Sequence, residues 1–144
     1  MRSVRPEARF EVPLANARVR GRIDLLLRAE DGGPGEVELV DLKTSENRPP
    51  SELHKNQLRM YAAAATKLGM EPTKLWIHDL DADDGQRIEV SNDEKEREAF
   101  REDLEEWVEG IQRGSFDPVE DRRVCRSCDF RRFCRYAPAE ARIG

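Results

Sequence analysis

The first 124 residues of the chain contain no cysteine, and its only three cysteines lie between positions 125 and 134. An odd number of cysteines in one short segment argues against a disulfide framework and favours a metal or cluster site. The sequence also lacks any apolar run near the roughly 18 residues of a membrane span, and its first residues lack the apolar core of a signal peptide. We therefore expect no membrane partner and a cytoplasmic location.

Net positive charge is lacking as well, since 25 Lys and Arg stand against 30 Asp and Glu. A formal net charge of −5 argues against a protein that coats DNA by overall charge. The distribution is uneven, however. Residues 1–28 hold seven arginines and three acidic residues, residues 79–109 hold fourteen acidic and four basic residues, and residues 110–144 hold eight arginines and five acidic residues. The acidic stretch is typical of a solvated helix face, and the two basic ends, if they meet, offer a surface for an anionic partner.

Hydrophobic patterning predicts five strands and two long helices. Alternation predicts strands over 9–14, 18–27, 36–43, 73–80 and 87–90. Helical periodicity predicts a helix over 53–68 with Ser51 as its N-cap, and another from Ser91 or Asn92 to about Gln112. The order βββ-α-ββ-α with a tail predicts an α/β domain with a mixed β-sheet flanked by helices.

The second predicted strand carries an aspartate among arginines. Its alternation predicts one face made of Val19, Gly21, Ile23 and Leu25, and an opposite face made of Arg18, Arg20, Arg22 and Asp24.

Two carboxylates and a lysine come near the ends of neighbouring predicted strands. Asp41 and Lys43 are two residues apart and so project from the same face of the third strand, next to the strand that carries Asp24. Such carboxylates are ligands for Mg²⁺, and the backbone carbonyl of Leu42 can supply another oxygen. A metal held in this way can activate water and stabilise the leaving oxygen of a phosphodiester. An isolated Asp-X-Lys is usually a surface ion pair, so the prediction depends on this context.

The first predicted helix carries Gln57 and Tyr61 four residues apart, and hence on one face. Taken singly, Gln57 is typical of a solvated position and Tyr61 of a core boundary. Together, the segments Gly21-Arg22-Ile23-Asp24, Asp41-Leu42-Lys43-Thr44 and Gln57-Leu58-Arg59-Met60-Tyr61 resemble the PD-(D/E)XK nuclease superfamily. The likeness is to its RecB-like branch, which includes AddB nuclease domains, helicase-fused nuclease domains and CRISPR-associated relatives. It extends from about Glu7 to Cys134, with the motifs in the order of the family.

The resemblance implies a fold and a set of site residues. The fold is restriction-endonuclease-like, with a nuclease core over 1–115 and an arginine- and cysteine-rich tail over 116–144 that packs on the same domain. The implied metal ligands, for Mg²⁺ or Mn²⁺, are Asp24, Asp41, the Leu42 carbonyl and Glu7. Lys43 would position the attacking water, while Gln57 and Tyr61 would order the site and hold DNA. The candidate DNA contacts are Arg20, Arg22, Arg59, Arg131 and Arg132.

The implied function is that of a deoxyribonuclease of the exonuclease type that acts in DNA repair or recombination. DNA would be its substrate, and a helicase domain or subunit its partner. Two alternatives remain open. One is a catalytically idle domain that binds DNA or serves as a scaffold, and the other is a structural module of a repair complex that carries a cluster.

The tail contains Cys125, Cys128 and Cys134, and a Cys-x2-Cys spacing lets two thiolates reach one metal. From the residues alone, plain thiols and a zinc site completed by His54 or His78 both remain open. The iron–sulfur subgroup of the RecB-like branch has three cysteines in this pattern and a fourth before the first strand, which implies a [4Fe-4S] cluster.

The fourth cysteine is absent from this chain, as is the histidine-bearing N-terminal helix of that branch. We therefore expect a fragment of a longer protein, with the cluster formed only in the full-length protein and with reduced activity in this chain.

Overall fold

The computed structural model of the chain describes residues 2–29, 32–44, 51–82, 85–119 and 121–142. Five strands form one sheet in the order β1-β2-β3-β4-β5. Neighbouring strands are antiparallel except for β3 and β4, which are parallel. The strands are β1 (Arg2–Leu14), β2 (Ala17–Ala29), β3 (Glu36–Lys43), β4 (Glu71–Asp79) and β5 (Arg87–Val90). The predicted mixed sheet is confirmed.

Helices complete the predicted α/β architecture. Helix α1 (Glu52–Lys67) connects β3 to β4, because parallel neighbours require a crossover. Helix α2 (Glu94–Arg113) follows β5, and two short helices follow it, α3 (Arg122–Ser127) and α4 (Ala139–Arg142). Within the described ranges, no helix has the length and apolar character needed to cross a membrane.

The helix starts differ in detail from the prediction. Ser51 precedes α1 as its N-cap, but its side chain makes no capping hydrogen bond. At α2 the capping side chain is that of Asp93, rather than Ser91 or Asn92, because Asp93 Oδ1 accepts the N–H of Glu96 at 2.9 Å. That backbone hydrogen bond is the main reason why the pKa of Asp93 lies below its ordinary value.

The hydrophobic core lies between the sheet and α1. Each fully buried aliphatic side chain contributes about 1.5–3 kcal/mol, so this interface fixes α1 on the sheet. The alanines of α1 let its backbone approach the strands closely. The core consists of Ala8, Phe10, Val12, Ile23, Leu26, Val37, Leu39, Leu58, Tyr61, Ala62, Ala64, Ala65, Leu75, Ile77 and Val90.

The side-chain alternation of β2 changes phase at Asp24. Ile23 and Leu26 both belong to the core beneath α1, although they are an odd number of residues apart. A regular strand places such residues on opposite faces. Leu25 instead pairs with Val40, which lies outside this core cluster. The prediction that Leu25 shares a face with Ile23 is therefore wrong, because the strand is irregular at the predicted metal ligand.

The irregularity of β2 is matched by one in β1. The ladder pairs Pro6 with Leu25 and Ala8 with Ile23, but it omits the residues between them, Glu7 and Asp24. Glu7 has a φ of 50°, in the left-handed region that residues with a side chain rarely adopt. Because each strand has one irregular residue, the register is the same on both sides of the break.

Backbone contacts divide the chain into two compact units, Met1–Val108 and Glu109–Gly144. The first unit holds the sheet, α1 and most of α2. The second unit holds the end of α2, the three cysteines and the two short helices, and within it Arg122 pairs with Glu140 at 2.9 Å. The boundary near residue 115 and the packing of the tail on the core stay predictions.

Candidate active site

Strands β2 and β3 separate where each carries an aspartate. Their ladder ends at the pair Leu25 and Val40, so it does not include Asp24 and Asp41, which come next. Beyond this point the backbone N–H of Leu42 donates a hydrogen bond of 2.9 Å to Asp24 Oδ2. A side-chain carboxylate thus takes the place of a backbone acceptor, which holds Asp24 against β3.

Asp41 is a fully buried carboxylate with unusual surroundings. Its exposed fraction is 0%, and among the described residues the Lys43 ammonium is the only donor close to its oxygens. The Lys43 Nζ atom lies 2.9 Å from Asp41 Oδ2 as an ion-pair partner. Burial raises the pKa of Asp41, the Lys43 ammonium opposes that rise, and the nearby Asp24 carboxylate adds to it. Burying a carboxylate with a single charged partner and a second carboxylate nearby is costly, and a cation would relieve that cost.

Lys43 begins a chain of hydrogen bonds that leads into α1. Lys43 Nζ donates to Gln57 Oε1 at 3.0 Å, and Gln57 Nε2 donates to the Tyr61 hydroxyl oxygen at 2.7 Å. The orientation of the amide follows from chemistry, because an ammonium can only donate and therefore requires the amide oxygen. The Tyr61 oxygen thus acts as an acceptor, which leaves its hydrogen for another acceptor.

Tyr61 is fixed by packing as well as by Gln57. Its ring meets that of Phe10 edge to face, with centroids 6.2 Å apart. Gly21 makes room for Phe10, since a Cβ atom at Gly21 would lie 2.7 Å from Phe10 Cε1. Burial is the main cause that raises the pKa of Tyr61, and the charges of Asp24 and Asp41 add to the increase.

The two aspartates have the chemistry of ligands for a divalent cation. Asp41 presents two buried oxygens, and the Asp24 carboxylate is held close to it by the Leu42 N–H. Throughout the described ranges, no group of three or more His, Cys, Asp or Glu side chains converges. A cation at this site would therefore complete its shell with backbone oxygens and water, which Mg²⁺ accepts. The Leu42 carbonyl stays a predicted ligand.

Glu7 lies in β1 at the position opposite Asp24 of β2. Its carboxylate lies 3.2 Å from Arg22 Nη1, and its side chain is 68% exposed. The structure thus gives the carboxylate an arginine partner, and its role as a metal ligand stays a prediction.

The predicted DNA-contacting arginines of the first unit fall into two groups. Arg20 and Arg22 are exposed on β2, and Arg20 pairs with Glu11 at 3.1 Å. Arg59 is different, because its side chain is only 12% exposed and its Nη2 atom lies 2.6 Å from Glu96. Arg59 therefore connects α1 to α2, and this pairing limits its capacity to contact DNA.

The three cysteines lie in the second unit as half-buried free thiols. Cys125 is in α3, Cys128 follows that helix, and Cys134 lies in the turns beyond it. Among the described residues of the chain, no group of three or more such side chains that could hold a metal is found. The [4Fe-4S] cluster stays a prediction for the full-length protein. The candidate DNA contacts Arg131 and Arg132 lie in the same segment, where Arg131 Nη1 donates to the Cys128 carbonyl at 3.3 Å.

Sequence reasoning missed Asp79, a buried carboxylate at the end of β4. It pairs in register with Lys43, and the next residue, Leu80, donates its N–H to the Lys43 carbonyl at 2.8 Å. Asp79 Oδ1 accepts the N–H of Asp81 and thereby shapes the turn after β4. An acidic residue that ends a hydrophobic strand was the available signal. By contrast, no pattern in the sequence indicates the left-handed backbone of Glu7.

Three comparisons relate the chain to known proteins. The model of the PD-(D/E)XK nuclease superfamily matches residues 1–135. Gene 69 protein of Mycobacterium phage D29 is 30% identical over 133 residues, which cover 89% of this chain and 46% of that protein. The crystal structure of SSO0001 has a TM-score of 0.58 at 17% identity, over 92% of this chain and 60% of that chain. The last likeness concerns the fold alone, and the chain spans less than two thirds of either protein.

Proposed function

The chain belongs to the PD-(D/E)XK nuclease superfamily, and from that premise we propose that it hydrolyses phosphodiester bonds in DNA with Mg²⁺ or Mn²⁺. The observation that carries this proposal is the meeting of three charged groups where β2 and β3 separate. There the buried Asp41 lies 2.9 Å from the Lys43 ammonium and close to the Asp24 carboxylate. A structural ion pair would not require a second carboxylate in the same place.

In this proposal each residue of the site has a distinct task. Asp24 and Asp41 hold the cation, which when bound polarises the phosphate and lowers the pKa of water. The Lys43 ammonium, oriented by Gln57, positions the attacking water. The Tyr61 hydroxyl accepts from Gln57 and directs its own hydrogen to an acceptor such as a phosphate oxygen. Positioning of this kind supplies a large part of catalysis in phosphodiester chemistry.

The finer features of the function rest on the resemblance of the motifs. They comprise exonuclease action, a role in DNA repair or recombination, and a helicase domain or subunit as partner. The chain spans 46% of its phage relative. The substrates and partners of a longer protein that contains this chain are therefore proposals as well. No step of it depends on an iron–sulfur cluster.

The proposal is tested by digestion of labelled single- and double-stranded DNA with Mg²⁺, Mn²⁺ or a chelator. We expect cleavage with either metal and none with the chelator. Asp41→Asn and Lys43→Ala should each abolish it, whereas Asp103→Asn and Lys74→Ala, at exposed positions, should leave it unchanged. Equal activity of the Asp41 and Lys43 variants and the wild type would contradict the assigned chemistry.

A second candidate is a catalytically idle DNA-binding domain. It is favoured by the finding that only two carboxylates meet at the site in the described residues. In that case the chain would bind DNA and cleave none, and Lys43→Ala would leave binding unchanged.

A further inference from the structure

We propose that Glu7 acts through its backbone, as a positioning residue whose left-handed conformation aims Asp24 at β3. This inference rests on the proposed function for its meaning in catalysis. It differs from the predicted role of Glu7 as a metal ligand, because it assigns no task to the carboxylate. The relevant observations are the φ of 50° at Glu7 and the missing ladder pair between Glu7 and Asp24.

The alternation of side chains along β2 shows the effect of the missing ladder pair between Glu7 and Asp24. If β2 alternated regularly from Ile23, Asp24 would lie on the face opposite α1, and Leu26 would leave the core. Asp41, however, lies in β3 on the α1 side with Leu39, two residues before it. The break therefore lets Ile23 and Leu26 both reach the core, while the Asp24 carboxylate reaches the Leu42 N–H.

Glu7, in a left-handed conformation opposite Asp24, can change the side-chain alternation of β2 without an extra residue in either strand. An irregularity in β2 alone would shift its pairing with β1, whereas the pairs on either side of Glu7 and Asp24 keep one register. Irregular residues of this kind redirect side chains near active sites. The exposed Glu7 carboxylate pairs with Arg22 on the surface and is not needed for this geometry.

The proposal predicts that substitutions at Glu7 rank by their tolerance of positive φ rather than by charge. Glycine and asparagine adopt this conformation readily, alanine less so, and a β-branched valine least. Glu7→Gly and Glu7→Asn should therefore retain kcat, although both remove the carboxylate. Glu7→Val should lose about 100-fold in kcat with little change in KM, the scale expected when a catalytic group is displaced by about 1 Å.

The experiment measures cleavage with Mg²⁺ and, separately, amide hydrogen exchange at Leu42 in the full chain without metal. Glu7→Val should make the Leu42 amide exchange faster, because it weakens the hydrogen bond to Asp24, and Glu7→Gly and Glu7→Asn should not. Glu11→Val is the matched control, at another exposed position of β1 with ordinary φ. If Glu7→Val does not fold, Glu7→Ala replaces it, with a smaller effect in the same direction.

Two results would overturn the proposal. One is a loss of kcat in Glu7→Gly and Glu7→Asn as large as in Glu7→Val, which would identify the carboxylate as the active feature. The other is wild-type exchange at Leu42 in Glu7→Val. A wild-type chain without cleavage would refute the proposed function instead, and the exchange measurement would still decide the role of Glu7.

Discussion

The Lys43 ammonium donates a hydrogen bond of 3.0 Å to the Gln57 side chain and so joins the end of β3 to α1. The lysine is thus held on two sides, by the buried Asp41 carboxylate and by an amide that also binds Tyr61. Its position depends on the packing of α1 on the sheet as well as on its own strand.

Gln57→Ala should lower kcat by about 10- to 100-fold, since a hydrogen bond to a charged group contributes roughly 1.5–3 kcal/mol. Thermal stability should change little, because Gln57 is only half-buried. Asn56→Ala, which removes a side-chain amide from the preceding position of α1, is the control and should retain activity. Steady-state kinetics with Mg²⁺ and thermal melting measure the two effects, and equal kcat in both variants would contradict the role of Gln57.

Asp41→Asn should abolish cleavage and yet stabilise the metal-free chain at neutral pH. Burial raises the pKa of Asp41 in the folded chain, so the folded state binds the proton more tightly than the unfolded state. Stability is therefore greatest below the unfolded pKa and falls as pH rises through the folded pKa. We therefore expect Asp41→Asn to have a higher Tm than the wild type near neutral pH.

The Asp41 measurement is a melting curve in chelator across acidic and neutral pH. The Tm difference between Asp41→Asn and wild type should grow as pH rises. Asp93 provides a comparison of opposite sign, because its pKa is lowered by the backbone N–H of Glu96. The Asp93 carboxylate stabilises the folded chain above the pKa that it has in the unfolded chain. This contribution disappears as pH falls through its pKa in the folded chain, so Asp93→Asn should destabilise the chain at neutral pH. A lower Tm for Asp41→Asn at every pH would refute the prediction.

Gly21→Ala should destabilise the chain by about 1–3 kcal/mol, the usual cost of an overpacked core. The new Cβ would collide with the Phe10 ring, which packs against Tyr61. Phe10→Leu should relieve part of the loss in a double variant. Gly110→Ala is the matched control within α2, where nothing lies within 4 Å of the new Cβ, and it should stabilise the chain by up to about 1 kcal/mol. Denaturant unfolding compares them, and equal effects of the two glycine substitutions would contradict the packing argument.

Arg20→Ala and Arg59→Ala should have different effects on DNA binding. The exposed Arg20 can exchange its partner Glu11 for a DNA phosphate. Arg20→Ala should therefore reduce the slope of log Kd against log salt concentration by about 1. Arg59 is held by Glu96 between two helices, and its loss should lower Tm while the salt dependence stays unchanged. Binding to a DNA duplex at several salt concentrations, with a catalytically inactive Asp41→Asn background, distinguishes them. An unchanged slope for Arg20→Ala would exclude Arg20 as a phosphate contact.

Much of the fold was predictable because its elements follow simple periodicities. Strand β3 alternates and α1 presents one small, apolar face, so both were placed within a few residues. A spacing of two in a strand places Asp41 and Lys43 on one face, and a spacing of four in a helix does the same for Gln57 and Tyr61. That the two pairs lie close together was implied by the resemblance of the motifs, since it depends on the packing of α1 on the sheet.

The rest depended on features that no local pattern encodes. Alternation in β2 failed at Asp24, opposite the left-handed backbone of Glu7, and no local pattern of residues marks either irregularity. Arg59 was a candidate DNA contact, and its pairing with Glu96, 37 residues away in the chain, is visible only in the structure. The cysteine spacing implied a cluster in the full-length protein, and that prediction needs a fourth ligand that this chain does not contain.

The separation of β2 from β3 has a consequence for how the sequence can change. The ladder of backbone hydrogen bonds between β2 and β3 stops at this point, and the negatively charged Asp41 carboxylate is buried there. Substitutions that neutralise this charge should improve folding, so selection for stability alone would remove the site. The requirements of activity and of stability are therefore opposed at Asp41. Screens for thermostable variants of this chain should recover losses of function at Asp41 unless activity is selected in parallel.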